Sequence, residues 1–359
     1  MTEVRVELGP RSYPIYVASG CLGKLGRIAQ QHLTGRRMLV VTNPVVAGLY
    51  GEAVKRSLAE AGFQVGEAQI PDGEEYKTLA TVAGLYDAAF TGGLERGDAV
   101  LALGGGVVGD IAGFLAATYM RGVPFVQVPT TLLAQVDSSV GGKVGVNHPG
   151  GKNLIGAFYQ PRFVLIDPDT LATLPSREVR AGLAEVIKYG VISDAGFFSW
   201  LEANIDRLLN LEPAALEHAI AASCRIKAAV VSADETETGL RAILNFGHTV
   251  GHALEAVTGY QRFVHGEAVA IGMVAAARLA VRLGYFEPPG AERITGLVLR
   301  AGLPAEVPAG VVPGALLEAM RRDKKVVANR LTFVLPEAIG RVRVVRGVAA
   351  EEVLAVLKH

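Results

Sequence analysis

Cysteine is scarce in this chain, because only Cys21 and Cys224 occur among its 359 residues. Two cysteines so far apart exclude a disulfide framework and a cysteine-rich metal site. A reducing compartment is the expected environment of such a chain, so we predict a cytoplasmic protein. Residues 1–10 carry charges among valines and predict a strand instead of a signal peptide.

An excess of one charge sign is also absent. Lysine plus arginine total 35, aspartate plus glutamate total 35, and the formal net charge is zero. Without a global basic field, the chain is not expected to hold nucleic acid or an anionic membrane surface. The predicted partner is therefore a small molecule that is recognised locally.

Long uncharged apolar runs are missing as well. Two stretches reach membrane-span length, residues 101–120 and 264–281, but Asp110 lies at the centre of the first, and Glu267 and Arg278 interrupt the second. Charges of this kind inside a membrane cost several kcal/mol. Both stretches are therefore predicted to be buried helical segments of a protein without membrane spans.

Apolar residues are plentiful, at 50% of the chain against 19% charged residues. In a chain of this length they suffice for two domains with large cores. The first half alternates short β-branched runs with helical patterns, which is typical of a parallel sheet built from βαβ units. Strands are predicted at residues 38–42, 63–70, 99–103 and 125–128, and helices at residues 45–61, 78–91 and 107–119.

The pattern changes after Leu174, where Pro175 and Ser176 provide a helix start and long alanine- and leucine-rich helices follow. We therefore predict a Rossmann-like α/β domain over residues 1–174 and an all-α domain over residues 175–359. Between these patterns, residues 143–167 are rich in glycine and β formers. They are predicted to form hairpins that line the interface of the two domains.

A glycine-rich loop follows the third predicted strand. Residues 104–110 read Gly-Gly-Gly-Val-Val-Gly-Asp and match G-x-G-x-x-G between a strand and a helix. Glycines let backbone amides approach a pyrophosphate, and the helix N-terminus supplies free N–H donors. The motif departs from a standard Rossmann fingerprint, because no acidic residue ends a strand about 20 residues later. The alternative is a glycine turn that is required only for tight packing.

Two further loops are expected at the same carboxyl edge of the sheet, where open parallel sheets bind ligands. The first holds residues 72–77, Asp-Gly-Glu-Glu-Tyr-Lys, and the second holds Pro129, Thr130 and Thr131. Glu74 is of a type that binds ribose hydroxyls, and paired threonine hydroxyls suit a ribose or a nicotinamide amide. This edge is therefore predicted to bind a dinucleotide.

Three of the seven histidines, His248, His252 and His265, lie in one eighteen-residue window. The first two are four residues apart, so both rings point to the same side of a helix, and His265 opens the next apolar helix. Converging imidazoles indicate a divalent metal site. The alternative is a histidine pair at a helix packing surface. Because Thr249 follows His248, the spacing is not His-Glu-x-x-His and disfavours a zincin-type protease.

Several cations occur in segments that are otherwise turn-rich or apolar. Together with a metal and a dinucleotide, they indicate a substrate with more than one negative charge, such as a sugar-acid phosphate. Glu185 and Lys188 share a helix face in an apolar stretch, so Glu185 is a candidate third metal ligand. The alternative is a plain helical ion pair. The cations are Arg121, Lys143, Lys152, Lys188, Lys227, Arg241, Lys324 and Lys325.

Longer motifs place these residues in a recognisable order. Residues 119–122 read Tyr-Met-Arg-Gly, residues 127–143 read Gln-Val-Pro-Thr-Thr-Leu-Leu-Ala-Gln-Val-Asp-Ser-Ser-Val-Gly-Gly-Lys, and residues 245–252 read Asn-Phe-Gly-His-Thr-Val-Gly-His. Other matching segments are residues 71–74, 104–110, 151–153 and 323–325. Nearly end to end, the chain resembles the 3-dehydroquinate synthase family of sugar-phosphate cyclases.

The resemblance implies that Glu185, His248 and His265 bind one zinc or cobalt ion, in an active site in the cleft between the two domains. His252 would then face the substrate and handle protons instead of binding the metal. NAD would be the second cofactor. Its implied contacts are Asn43, Asp72, Gly73, Glu74, Glu75, Tyr76, Lys77, Gly105, Gly106, Val107, Val108, Gly109, Asp110, Thr130, Thr131, Asp137, Lys143, Lys152, Thr170, Leu171, Ala172 and Thr173.

The resemblance also implies which residues contact the substrate and which take part in catalysis. The implied catalytic residues are His252, Glu237, Lys152 and Arg121. The implied substrate-binding residues are Arg121, Lys143, Lys152, Asn153, Lys188, Lys227, Arg241, Asn245, His252, Lys324 and Lys325.

The implied reaction converts 3-deoxy-D-arabino-heptulosonate 7-phosphate to 3-dehydroquinate and phosphate, a carbon–oxygen lyase step of the shikimate pathway toward chorismate and aromatic amino acids. It comprises transient oxidation by NAD, β-elimination of phosphate, reduction, ring opening and intramolecular aldol closure. The resemblance further implies a homodimer. The alternatives are a deoxy-inosose or valiolone synthase, a metal-dependent glycerol or alcohol dehydrogenase, and a catalytically inactive dinucleotide-binding module.

Overall fold

The computed structural model describes residues 1–322 and 331–358, and the chain divides into two compact units. Unit 1 comprises Met1–Leu174 and Leu216–Thr236, and unit 2 comprises Pro175–Ala215 and Glu237–His359. Within the described ranges, no helix combines the length and the apolar character needed to cross a membrane.

The elements are numbered in chain order. The strands are β1 (Thr2–Val6), β2 (Tyr13–Val17), β3 (Arg37–Thr42), β4 (Gln64–Gln69), β5 (Ala99–Gly104), β6 (Phe125–Pro129), β7 (Lys143–His148), β8 (Gly151–Phe158), β9 (Phe163–Ile166), β10 (Leu331–Ala338) and β11 (Arg341–Val348). The helices are α1 (Leu25–His32), α2 (Pro44–Val46), α3 (Glu52–Glu60), α4 (Leu79–Thr91), α5 (Gly106–Thr118), α6 (Ser176–Ser193), α7 (Ala195–Leu209), α8 (Pro213–Ala233), α9 (His248–Val257), α10 (His265–Arg282), α11 (Pro288–Arg300), α12 (Pro313–Arg322) and α13 (Ala350–Leu357).

Unit 1 is built on a seven-stranded sheet with the strand order β1-β2-β9-β6-β5-β3-β4. From β2 to β4 all neighbours run parallel, which confirms the predicted parallel sheet. The strand β1 adds an antiparallel edge beside β2, and β7 and β8 form a separate antiparallel hairpin.

The interior strand β5 is buried along its whole length, because helices cover both faces of the sheet. Val100 packs in one core with Leu85 of α4, whereas Leu101 packs in the other core with Leu58 of α3. Successive side chains of a strand point to opposite faces, so one continuous apolar run serves both cores. The strand ends at Gly104, and α5 begins two residues later at the carboxyl edge of the sheet.

Residues 216–236 return to unit 1, although the sequence patterns predicted a single boundary at residue 175. In this segment Glu217 accepts a hydrogen bond from the Ser19 N–H at 2.7 Å, and Glu235 accepts a bidentate pair from Arg11 at 2.6 and 2.7 Å. Most of α8 therefore belongs to the α/β unit. The predicted domains, 1–174 and 175–359, need this correction.

Unit 2 is mainly helical, as predicted, but it also contains the antiparallel pair β10 and β11. An all-α domain is therefore not what the described residues form. Leu331, Phe333 and Leu335 of β10 are buried at a spacing of two residues, the period of a strand. Gly340 makes the connection to β11 with φ +85°, a backbone conformation that favours glycine.

Helix α10 meets α6 and α9 at positions that have no side chain. A Cβ on Gly272 of α10 would lie 1.9 Å from the carbonyl oxygen of Gly247, the residue before α9. A Cβ on Gly266, at the start of α10, would lie 1.9 Å from the carbonyl oxygen of Ala181 in α6. Neither site has room for a methyl group, so these three helices touch through their backbones.

Replacing Gly272 with alanine is expected to destabilise the protein. Helix propensity alone favours alanine by about 1 kcal/mol in a helix interior, but the new methyl group would collide with the Gly247 carbonyl, and overpacking costs about 1–3 kcal/mol. Gly296→Ala in α11 is the matched control, because no atom lies within 4 Å of the added Cβ. Calorimetry should show a lower melting temperature for Gly272→Ala and a higher one for Gly296→Ala. A rise in both variants would contradict the predicted contact.

Candidate active site

Helices α6, α9 and α10 bring Glu185, His248 and His265 together in unit 2. The Nε2 atom of His248 lies 3.6 Å from Oε1 of Glu185, and the Nε2 atom of His265 lies 3.7 Å from the same oxygen. One ligand atom from each of the three side chains falls within 4.8 Å of the others. Two imidazole nitrogens and one carboxylate are a donor set that suits a zinc-type divalent ion.

The other nitrogen of each of these rings has a partner of its own. His248 Nδ1 lies 3.1 Å from the Phe246 carbonyl oxygen, and His265 Nδ1 lies 3.4 Å from Oε2 of Glu255. An Nδ1–H that donates to oxygen leaves the Nε2 lone pair available, which is the usual arrangement of a metal-binding histidine. The rings are therefore oriented as ligands, and a divalent cation fits this group.

Glu255 was missed by the sequence analysis. It is buried, with 6% of its surface exposed, and it follows His248 by seven residues on α9. Two turns of helix place it on the same side as His248 and His252. That spacing was the signal that could have identified it.

Burial and neighbouring carboxylates shift the pKa values of His248 and His265 in opposite directions. Burial lowers the pKa of His248 well below its usual value, so this ring is neutral. Burial also lowers the pKa of His265, but its contacts with Glu185 and Glu255 outweigh that effect and raise the pKa to about 10. His265 therefore carries a second proton, at Nε2 beside Glu185, and a cation that binds there would displace that proton.

Lys188 contacts the carboxylate of Glu185 from the same face of α6. It is 1% exposed, Glu185 is fully buried, and the ammonium group also lies 5.0 Å from the centre of the Tyr189 ring. The helical ion pair that the sequence offered as an alternative is present, but both histidines face the same carboxylate. The pair is therefore one part of a larger charged group.

His252 lies beside this group on α9. Its ring centre is 5.3 Å from that of His248 and 6.1 Å from that of His265. Its nitrogen also forms a second possible metal-binding set with Glu255 and His265. The predicted exclusion of His252 from the metal shell therefore stays a prediction.

The segment before α9 holds three more of the predicted site residues. Asn245 donates from Nδ2 to Oε1 of Glu237 at 3.0 Å, and Glu237 has φ +62°. Arg241 is 2% exposed, in the 3-10 helix Leu240–Asn245. Glu237 and Asn245 are thus brought together as a hydrogen-bonded acid and amide.

Unit 1 contains the glycine-rich loop and the predicted residues around it. Gly105 is the N-cap of α5 and offers no side chain to the first-turn N–H groups of that helix. A Cβ on Gly105 would lie 3.1 Å from Thr131, and a Cβ on Gly106 would lie 3.1 Å from Ser138. Backbone amides at a helix N-terminus without a side-chain cap are suited to bind phosphate.

The loop after β4 is tied to α5 by a buried lysine. Lys77 is 4% exposed and donates from Nζ to Oδ2 of Asp110 at 2.5 Å and to Oδ1 of Asn153 at 2.6 Å. Asn43 donates to Asp72 at 2.9 Å and caps α2 through the Val46 N–H. Residues from separate parts of the sequence therefore form two hydrogen-bonded polar groups in unit 1, one around Lys77 and one between Asn43 and Asp72.

Other predicted site residues of unit 1 form hydrogen bonds or ion pairs within the protein, or lie in its core. The Thr170 hydroxyl donates to the Asp167 carbonyl at 2.7 Å and accepts from Gln135 at 3.0 Å, and Leu171 is fully buried. Lys227 contacts the Asp137 carboxylate at 2.8 Å and donates to its carbonyl oxygen at 2.7 Å. Lys227 and Asp137 are thus brought together, whereas the side chains of Thr170 and Leu171 belong to the core.

The remaining cations are exposed or half-buried. Arg121 follows α5 in a turn with φ +65°, Lys143 begins β7, and Lys152 lies near the start of β8. Lys324 and Lys325 lie outside the described residues.

Comparison with known proteins covers almost the whole chain. Residues 67–181 match the model of the 3-dehydroquinate synthase N-terminal domain, and residues 182–326 match that of the C-terminal domain. A curated 3-dehydroquinate synthase of Pelotomaculum thermopropionicum is 60% identical over 99% of this chain and 96% of its own length. The chain belongs to the 3-dehydroquinate synthase family.

Solved structures of other sugar-phosphate cyclases have the same fold but are less similar in sequence. A 2-deoxy-scyllo-inosose synthase solved with carbaglucose-6-phosphate, NAD⁺ and Co²⁺ has a TM-score of 0.91 at 27% identity, with 99% of each chain covered. The 2-epi-5-epi-valiolone synthase ValA of Streptomyces hygroscopicus, solved with NAD⁺ and Zn²⁺, has a TM-score of 0.88 at 29% identity over 99% of this chain and 98% of its own. Sequence identity therefore favours the 3-dehydroquinate synthase family over these cyclases.

Lys77→Met is expected to destabilise unit 1, because it leaves the Asp110 carboxylate without its cation. Burial raises the pKa of Asp110, and Lys77 opposes that rise. The expected loss is about 3 kcal/mol, the low end for breaking a buried pair, since the Asp110 side chain keeps 21% exposure. Without Lys77 the folded-state pKa of Asp110 rises further, so the loss is full above that pKa. It fades as the pH falls toward the raised folded-state pKa of Asp110 in the wild-type protein, because below it the carboxyl is protonated in both proteins.

Denaturant unfolding of Lys77→Met, Asp110→Asn and the double variant at several pH values measures this effect. The double variant should recover most of the loss. Lys55→Met, which removes a surface cation paired with Glu52 and Glu67, is the control and should cost much less than Lys77→Met, because water screens exposed ion pairs. A loss for Lys77→Met that is independent of pH would contradict the role assigned to Asp110.

Proposed function

We propose that this chain catalyses the reaction of its family, the conversion of 3-deoxy-D-arabino-heptulosonate 7-phosphate to 3-dehydroquinate and phosphate. The observation that carries the proposal is its 60% identity to a 3-dehydroquinate synthase over nearly full length, against 27% and 29% for cyclases that make other products. The reaction belongs to the shikimate pathway of aromatic amino acid biosynthesis. A cytoplasmic homodimer, as the resemblance implies, is part of the same proposal.

Two cofactors belong to the proposal: NAD and one divalent ion, zinc or cobalt. The Nε2 atoms of His248 and His265 and a carboxylate oxygen of Glu185 would hold the ion, a set supported by their mutual distances and by the partners of each Nδ1. When bound, NAD takes and returns a hydride, and the metal polarises substrate oxygens as a Lewis acid.

Unit 1 is proposed to hold the NAD. The first-turn N–H groups of α5 would bind its phosphates, and Glu74 and the threonines would bind its hydroxyls and amide. The proposal is supported by the uncapped start of α5 and by the group that joins Lys77 to Asp110. In the same unit, Arg121 and Lys152 would bind and orient the substrate phosphate as cations.

Proton transfers are assigned to His252 and Glu237 in unit 2. An imidazole nitrogen of His252 would take and return hydroxyl protons of the substrate, and the Glu237 carboxylate would serve as a second proton acceptor and donor. The hydrogen bond from Asn245 to Oε1 of Glu237 orients that carboxylate and supports the assignment. Lys188, Lys227, Arg241 and Asn245 would bind the anionic and hydroxyl groups of the substrate.

The purified protein should release phosphate from 3-deoxy-D-arabino-heptulosonate 7-phosphate over many turnovers when NAD⁺ is present in catalytic amounts. NAD is returned to its oxidised form within each turnover, so absorbance at the NADH band should not grow. Phosphate and NADH are measured in one reaction. Steady NADH production would instead identify a metal-dependent dehydrogenase and overturn the proposal.

His248→Ala and His252→Ala should separate metal binding from proton transfer. The two histidines lie one turn apart on α9, so each variant is the control for the other. His248→Ala should lose bound metal, whereas His252→Ala should keep it while turnover falls about 10²- to 10⁴-fold, the usual contribution of an acid–base group. Metal analysis of both proteins after dialysis measures the difference. Equal metal loss would favour the second set, His252 with Glu255 and His265, and contradict the division of roles.

A further inference from the structure

Asn147, near the end of β7, joins the loop after β4 to the tip of the β7–β8 hairpin by three hydrogen bonds. Its side-chain Nδ2 donates to Oε1 of Glu74 at 2.8 Å, and its backbone N–H donates to the carbonyl oxygen of Lys77 at 2.8 Å. Its Oδ1 accepts from the backbone N–H of Asn153 at 2.9 Å. One asparagine thus holds both ends of the 74–77 segment and the start of β8.

A break in the hairpin pairing makes this arrangement possible. The register of β7 and β8 shifts between Val146 and His148, which leaves Asn147 without a cross-strand partner of its own. A residue at such an irregularity can turn its backbone N–H away from the ladder. The N–H of Asn147 therefore reaches Lys77 in the neighbouring loop.

A second connection runs in parallel through Lys77. Its ammonium group donates to Oδ1 of Asn153 and to Oδ2 of Asp110, so the loop, α5 and the hairpin tip share one buried cation. Asn153 has φ +54°, a strained conformation that persists only when its surroundings hold it. Its side-chain bond to Lys77 and its backbone bond to Asn147 hold it in place, while the residue itself stays exposed.

We propose that Asn147 is a positioning residue that couples NAD binding at residues 72–77 to the conformation of the hairpin tip, residues 148–153. The inference rests on the proposed function, in which Glu74 binds NAD and the tip residue Lys152 binds the substrate phosphate. The family resemblance adds Lys77 and Asp110 to the NAD contacts and Asn153 to the substrate contacts. A ligand that fixes Glu74 and Lys77 thereby fixes Asn147 and, through it, Asn153. Coupling between two sites is reciprocal, so substrate at the tip also strengthens NAD binding.

Amide hydrogen exchange of the full-length protein, with and without saturating NAD, tests the coupling directly. In the wild-type protein, NAD should slow exchange at residues 148–153 as well as at residues 72–77. In Asn147→Ala, NAD should still slow exchange at 72–77, whereas the protection at the tip should be lost. Asn204→Ala is the control, because it removes another half-buried asparagine hydrogen bond, to the Trp200 carbonyl in α7, and should leave the tip protection intact.

Asn147→Asp provides a second variant that keeps the size and shape of the side chain. It retains the acceptor for the Asn153 N–H but loses the donor to Glu74 and sets two carboxylates side by side. NAD-dependent protection at the tip should fall in this variant too, and melting curves show whether each variant is folded. At saturating NAD, the substrate KM should rise about tenfold in Asn147→Ala, within the usual range of coupling between sites, with a smaller change in kcat.

The outcomes separate this inference from the proposed function. Tip protection by NAD that is equal in the wild type and in folded Asn147→Ala or Asn147→Asp would overturn the coupling and leave NAD binding in place. If the variants lose protection at the tip to the same degree with and without NAD, Asn147 has a purely structural role. That result would also overturn the coupling. If the wild-type protein binds no NAD, the proposed function fails and the coupling fails with it.

Discussion

A carboxylate with no access to solvent organises the chemistry of unit 2. Glu185 is fully buried in α6, and an isolated charge in such a place is unfavourable by several kcal/mol unless cations or hydrogen-bond donors surround it. The side chains that face it are Lys188 from the same helix and two histidines from α9 and α10. The residues around Glu185 are therefore of types that can carry a positive charge or donate a hydrogen bond to its carboxylate.

That compensation depends on how closely three helices approach one another. Side chains as short as histidine can meet a carboxylate on another helix only where the helix axes lie near each other, and glycines at 247, 266 and 272 permit this. The charge of Glu185 can therefore be compensated only because the backbones of the three helices pack closely. A bulkier residue at any of these glycine positions would push the helices apart. The two histidines would then move away from Glu185, even though the new side chain does not contact them.

The fold could be predicted from the sequence where the pattern is local. For residues 38–128, alternating apolar runs predicted strand and helix bounds within about two residues of the observed elements, and the parallel sheet is confirmed. The strand β2 and the helix α1 were not predicted. The order of the strands in the sheet could not be derived, because β9 lies between β2 and β6 through contacts far apart in the sequence. The return of residues 216–236 to unit 1 has the same origin, since Cys224 and Lys227 find their partners at Gln135 and Asp137.

The candidate site shows the same division between local and distant information. Histidine spacing and the glycine-rich loop were visible as motifs, and the structure brings Glu185, His248 and His265 together as expected. Glu255 was missed although its seven-residue spacing from His248 places it on the same face of the helix. Asn147 was not identified, because an asparagine near a turn has no distinguishing pattern. Their partners, His265 in one case and Glu74 with Asn153 in the other, become neighbours only after the chain has folded.

The return of α8 to unit 1 has a consequence for how the protein is made. Neither unit is one uninterrupted stretch of chain, because residues 216–236 supply Lys227 and Glu235 to a unit whose other residues end at Leu174. A ribosome that has released only the first 174 residues has therefore not yet delivered all the parts of that unit. The α/β unit can complete its contacts only after residues 175–215 of the helical unit have been synthesised.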